Sequence, residues 1–214
     1  MSDWTRGEGM ATDLIQEHSS EANASPPPFQ ARRLTLEEYR QIRDSGVLEN
    51  GSRFEFLEGW IVTKMTQGPE HAAVVQIIQE LLSKTLPVEW RVRVQSAVQA
   101  AGNEPEPDLA VVIGPAARYL DHHPAGEEIA AIIEVAETSL IKDRRKTEYY
   151  AGEGIREYWI VNLPDRQVEV YRNPLPESAA YQDQHIALES ESLDLTIGDT
   201  TLSIRVADLL PTNM

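Results

Sequence analysis

One long amphipathic stripe and several short apolar runs organise this sequence. Val74, Ile77, Ile78, Leu81 and Leu82 follow the i, i+3, i+4, i+7, i+8 order of a helix with one buried face. Gly68-Pro69 predicts its start, with Pro69 at the first helical position, where a missing N–H costs nothing, and Pro87 predicts its end. Upstream, Thr35-Leu36-Glu37-Glu38 has the form of a capping box and predicts a short helix to about Asp44, ending near Gly46. Phe54, Phe56 and Ile61 alternate with polar residues around Glu58-Gly59, the signature of a hairpin. After the long helix, strand patterns dominate. Trp90 to Gln99 alternates Val92, Val94 and Val98 with polar partners, and Gly102-Asn103 turns the chain. Asp108–Ile113 and Ile129–Ala136 are almost wholly apolar, which predicts central strands covered on both faces. Residues 114–128 between them read as a loop. A second helix is predicted from about Asp143 to Glu153, closed by Gly154 as a left-handed cap. Strands follow at Ile155–Asn162 and Gln167–Tyr171, then weaker strand patterns and a final turn at Val206–Leu210. This order predicts a mixed α/β (α+β) fold.

Composition narrows the chemistry. The chain has 214 residues, no cysteine and a formal charge of −16. Disulfides, cysteine-held zinc, iron–sulfur clusters and thiol nucleophiles are therefore excluded. Residues 1–30 read as a disordered extension: they run through Ser19-Ser20-Glu21 to Pro26-Pro27-Pro28 without an apolar period, and carry five acids against one base. Residues 31–214 then form one domain by length. That domain stays strongly acidic, so any contact with phosphate must be local and metal-assisted. No apolar run spans a bilayer and no secretory pattern opens the chain, so a cytoplasmic protein without membrane contact is expected.

The strand ends suggest one site. Asp108, preceded by Pro107, opens one apolar strand, and Glu134 lies near the end of the other. Two carboxylates on adjacent central strands repel unless a cation, a base or protons separate them, and a hard divalent cation is the usual solution. Each acid could instead pair with its own arginine. Asp143, Lys146 and Tyr150 fall at i, i+3 and i+7 on one helix face, close enough to bring a lysine to the acids. By itself the basic run Lys142, Arg144, Arg145, Lys146 reads as a solvated face.

Taken together, Glu55 within Arg53-Phe54-Glu55-Phe56-Leu57-Glu58-Gly59, His71, Pro107-Asp108-Leu109, Glu134-Val135, Lys146 with Tyr150, and Gly154-Ile155-Arg156-Glu157-Tyr158-Trp159-Ile160-Val161-Asn162 resemble the Uma-two family of restriction endonucleases, in the PD-(D/E)XK nuclease superfamily. The resemblance covers about residues 33–172. It implies a restriction-endonuclease-like core, a central mixed sheet flanked by helices, here with an extra N-terminal hairpin and C-terminal strands. It also implies Mg²⁺-dependent (or Mn²⁺-dependent) hydrolysis of DNA phosphodiesters, often by homodimers. On this resemblance Asp108 and Glu134 hold the metal with the Val135 backbone carbonyl, Lys146 is the catalytic lysine, and Glu55, His71 and Tyr150 are accessory. The superfamily lysine stands two residues after the acid, where this chain has Ala136; in the family it has moved to the Lys146 position, and the Asp143–Lys146 spacing is one residue shorter than usual. Glu55 fits equally a buried paired strand residue, and His71 a solvent-facing helix start. A catalytically silent binding module and a hydrolase of RNA or another phosphoester remain as rival readings.

Other motifs carry nothing. His122-His123 are adjacent and diverge, Ser139-Leu140-Ile141-Lys142 lacks its companion motifs, and no phosphate-binding glycine loop is present.

Overall fold

The computed structural model describes residues 32–48, 53–64 and 67–211. The predicted extension at 1–30 lies outside them. Helix α1 (Leu36–Asp44) forms where the capping box predicts it: the Thr35 hydroxyl accepts from the Glu38 amide, and the Glu38 carboxylate accepts from the Thr35 amide. Strands β1 (Phe54–Leu57) and β2 (Trp60–Thr63) pair as an antiparallel hairpin. Its turn residues Glu58 and Gly59 both have positive φ, 52° and 82°, as a two-residue turn that follows strand twist requires. Gly59 is also crowded: a Cβ there would stand 2.6 Å from the Arg33 Cβ. Gly59→Ala should therefore cost about 1–3 kcal/mol, read as a lower denaturant midpoint with unchanged slope; an unshifted midpoint would show that the turn relaxes freely.

Helix α2 (Pro69–Thr85) follows, then a six-stranded sheet in the order β3-β4-β5-β6-β7-β8. Its strands are β3 (Trp90–Val94), β4 (Leu109–Ile113), β5 (Ile129–Ala136), β6 (Glu157–Asn162), β7 (Gln167–Leu175) and β8 (Ala180–Leu188). Only the β5–β6 pair is parallel, so the sheet is mixed. Between β5 and β6 lie the short helices α3 (Leu140–Arg145) and α4 (Thr147–Gly152); strands β9 (Ser192–Ile197) and β10 (Thr200–Arg205) form a separate hairpin.

Alternation along the central strands divides the core into two layers. Leu109, Val111, Ile133, Val135, Trp159 and Val161 pack with Val74, Val75, Ile78 and Leu82 of α2 and with β9–β10 residues. Ala110, Val112, Ile132, Tyr158 and Ile160 pack on the other face with Tyr149 and Tyr150 of α4. β4 and β5 are interior strands, as their apolar runs predict.

Three expectations need correction. Ile77 is exposed and Val75 takes its place in the α2 stripe. The strand from Trp90 stops at Val94, because Gln95 turns to φ 46° and gives its amide to the Asp108 carbonyl. The helix predicted from Asp143 starts earlier, at Leu140, and breaks at Lys146, whose amide reaches both the Lys142 and Asp143 carbonyls.

Candidate functional site

Strand parity places Asp108 and Glu134 together. Leu109 pairs with Ile133, so the residue before one faces the residue after the other, and both side chains share the face of Ala110 and Ile132. The backbone fastens the two acids reciprocally: the Asp108 amide donates to Glu134 Oε2 (3.1 Å), and the Val135 amide donates to Asp108 Oδ2 (3.0 Å). Both residues are nearly sealed from solvent, at 3% and 2% exposure.

The helical segment after β5 supplies the cation. Lys146, also 2% exposed, donates from Nζ to Glu134 Oε1 (2.8 Å) and to Glu55 Oε1 (3.0 Å). Asp143 Oδ1 lies 4.0 Å from the same ammonium. The Tyr150 hydroxyl donates to Glu134 Oε1 (3.3 Å). Glu55, on β1, accepts from Lys142 as well. Asp108 Oδ1 meets three further groups: Gln67 Nε2 (2.9 Å), Lys64 Nζ (3.5 Å) and His71 Nε2 (3.3 Å). The His71 contact is close but poorly aligned, so Nε2 is left buried without a hydrogen bond.

The structure thus brings Asp108, Glu134, Lys146, Glu55, His71, Tyr150 and Val135 into one constellation. Sequence reading missed Lys64, Gln67 and Lys142, which reach it from loops and helix turns with no local signature. The basic run is solvated only in part: Arg144 and Arg145 are exposed and pair with Glu169 and with Glu58 and Glu148, whereas Lys142 is half-buried against Glu55 and Lys146 is buried. A cleft of about 850 Å³ opens onto the acids, and Lys142, with 37% of its side chain exposed, stands at its mouth.

Electrostatics separate the carboxylates. Burial pushes Glu134 up to about 7; Lys146 opposes this, while the charges of Asp108 and Asp143 reinforce it. Burial also disfavours the Glu55 charge, but Lys146 and Lys142 outweigh it and hold that carboxyl at about 2. Asp108 sits well below the usual range: burial is overcome by His71, Lys64 and the Val135 amide. Lys146 is driven well above the ordinary lysine value, because Glu134, Glu55 and Asp143 outweigh its burial. It is a fixed ammonium, not a base.

Over residues 36–207 the chain matches the Uma2 family, described as "Putative restriction endonuclease". Among solved structures it is similar to a protein from Anabaena variabilis described as a "putative nuclease belonging to DUF820", with a TM-score of 0.64 and 17% identity, covering 82% of this chain and 97% of that one. At that identity the likeness is one of fold. No curated protein matches the chain. Among the described residues no helix is long and apolar enough to cross a membrane. The family match takes in about four fifths of the chain and every residue of the constellation above, so this protein belongs to the Uma2 family.

Proposed function

We propose that the protein is a divalent-metal-dependent nuclease acting on DNA. The observation that carries this reading is the facing pair Asp108 and Glu134, buried at the end of two central strands with an ammonium 2.8 Å from one of them. The donor chemistry fits Mg²⁺ or Mn²⁺. Two carboxylates offer hard oxygens, and Val135, whose amide already points to Asp108, has its carbonyl on the same strand side. Mg²⁺ is content with one or two carboxylates and completes its shell with waters and phosphate oxygens. This suits a site in which no group of three His, Asp or Glu side chains could hold a metal ion by itself among the described residues. When bound, such a cation polarises the phosphodiester and offsets the charge that develops during hydrolysis.

The chain's own residues have separable roles in this proposal. Lys146 and Tyr150 hold Glu134, and Lys146 supplies a constant positive charge behind it. Glu55 anchors both lysines. Lys142, at the mouth of the cleft, is the group placed to meet a substrate phosphate, while His71, whose buried Nε2 faces Asp108, backs that carboxylate. Family membership supports hydrolysis of phosphodiester bonds; the choice of DNA, the metal and a homodimeric form are part of the proposal.

Nicking of supercoiled plasmid tests it. Wild type should cut with Mg²⁺ or Mn²⁺ and not in EDTA, and Asp108→Ala should lose at least about a hundredfold, the equivalent of a few kcal/mol of Lewis-acid stabilisation. Equal activity in both proteins, or activity that persists in EDTA, overturns the proposal. Cleavage of RNA but not plasmid in the same assay would move the substrate class.

The strongly acidic chain favours one rival, a catalytically silent module of the same fold, because its charge repels a phosphate backbone. Calorimetric titration separates the two: a wild type that takes up neither Mg²⁺ nor Mn²⁺ is the silent module.

A further inference from the structure

We propose that Arg53, Gln95 and Gln67 form a hydrogen-bond relay of fixed polarity that sets the orientation of the Asp108 carboxylate. All three are positioning residues. The relay stands on its own geometry; its consequence for cation binding rests on the reading of Asp108 given above.

The polarity follows from arginine. A guanidinium has only donors, whereas a primary amide offers one acceptor and one donor end. Arg53 Nη1 donates to Gln95 Oε1 (2.9 Å). That contact commits the Gln95 amide, whose Nε2 then donates to Gln67 Oε1. Gln67 is committed in turn, and its Nε2 donates to Asp108 Oδ1 (2.9 Å). Turning either amide over would set two donors or two acceptors face to face. Arg53 has only donors and the ionised Asp108 only acceptors, so the two ends agree on one orientation for both amides, and Arg53 locks the donor that Asp108 receives.

The backbone is arranged for the same end. Gln95 adopts φ 46°, a left-handed conformation that a residue with a Cβ rarely takes, and such strain persists only where the surroundings impose it. In return the Gln95 amide donates to the Asp108 carbonyl (3.0 Å), so one residue holds Asp108 through its main chain and, through Gln67, its side chain. Arg53 also pairs with Glu106, and Lys64 donates to the Glu106 carbonyl (2.6 Å). The segment leading into Asp108 is thus clamped from Arg53, Lys64 and Gln95. With Oδ2 held by the Val135 amide and Oδ1 by Gln67, rotation of the carboxylate about its own bond is blocked. Of the three relay members only Gln67 lines the cleft; the other two act through it.

The test uses the full chain and two readouts. In EDTA, exchange of the Gln67 side-chain amide protons is followed by NMR in wild type, Arg53→Met and Arg53→Lys. Exchange should be at least tenfold faster in Arg53→Met and close to wild type in Arg53→Lys, which keeps a donor. Unchanged exchange in Arg53→Met overturns the relay, whether or not any cation binds. Gln95→Met, which breaks the next link, replaces Arg53→Met where that variant does not fold. Second, Mn²⁺ affinity measured by calorimetry should fall about tenfold in Arg53→Met, the size usual for groups that orient a metal ligand, and recover in Arg53→Lys. Equal affinity alongside faster Gln67 exchange overturns the positioning role. A wild type that binds no Mn²⁺ while Gln67 stays protected, and loses that protection in Arg53→Met, overturns the metal reading of Asp108 and upholds the relay.

Discussion

Lys146→Met lowers the stability of the fold by about 3–5 kcal/mol, the cost of removing one partner from a buried charge pair, or roughly 6–20 °C in Tm for a domain of this size. The size of the effect comes from enclosure. Nζ donates to two buried carboxylates and faces a third in Asp143. Methionine fills much of the same volume but leaves those acids without the ammonium. Glu55 keeps Lys142; Glu134 keeps only neutral donors, the Tyr150 hydroxyl and the Asp108 amide. The variant can escape part of the penalty by protonating Glu134, so the deficit depends on pH. With its folded value raised further above the ordinary 4.5, Glu134 binds a proton more tightly in the folded state, and folding becomes less favourable as pH rises. Denaturant unfolding at pH 5 and pH 8 should therefore show the larger deficit at pH 8. A loss below about 1 kcal/mol at both values, the size of an exposed ion pair, would mean that Lys146 is not the cation holding the site together.

What the sequence discloses here is what short-range chemistry determines. The Thr35–Glu38 box and Pro69 act within one helical turn, and both helix starts lie where those residues set them. The apolar runs around Asp108 and Glu134 disclose two central strands with one acid each, but a wholly apolar run carries no parity, so only the Leu109–Ile133 register sets the sheet face shared by the two acids. Helix periodicity brings Lys146 and Tyr150 toward them, although the helix breaks at Lys146, where hydrogen bonds tighten to i, i+3. Contacts made across the fold were not legible. Gln95 sits in a valine-alternating stretch that reads as strand, yet its backbone turns to φ 46° and the strand stops at Val94. Which of the cations after β5 are enclosed is not legible, because their carboxylate partners, Glu55, Glu58 and Glu169, are distant in sequence. The site is therefore visible as a list of acids and a lysine, while the network that sets their charge states is not.

That network carries opposing pH dependences, and Glu134→Gln isolates one of them. Burial and the neighbouring acids raise Glu134 to about 7 from an ordinary 4.5. Between those values the folded state keeps a proton that the unfolded state has released. Its contribution is full below the unfolded value and is lost as pH rises through about 7. Glu55 has the reverse sign: held at about 2, it contributes stability above 4.5 that is lost as pH falls. Asp108, also depressed, behaves like Glu55, with its contribution present above 3.8. The glutamine variant removes only the alkaline loss. It also carries a fixed penalty, because one amide oxygen cannot serve both the Asp108 amide and the Lys146 ammonium as two carboxylate oxygens do. The diagnostic quantity is therefore the slope. Measured in EDTA, the stability of Glu134→Gln relative to wild type should improve by about 1–3 kcal/mol between pH 5 and pH 8. A difference that is flat across that range, or that moves against the variant, would show that Glu134 is already ionised at pH 5 and that Lys146 alone neutralises it.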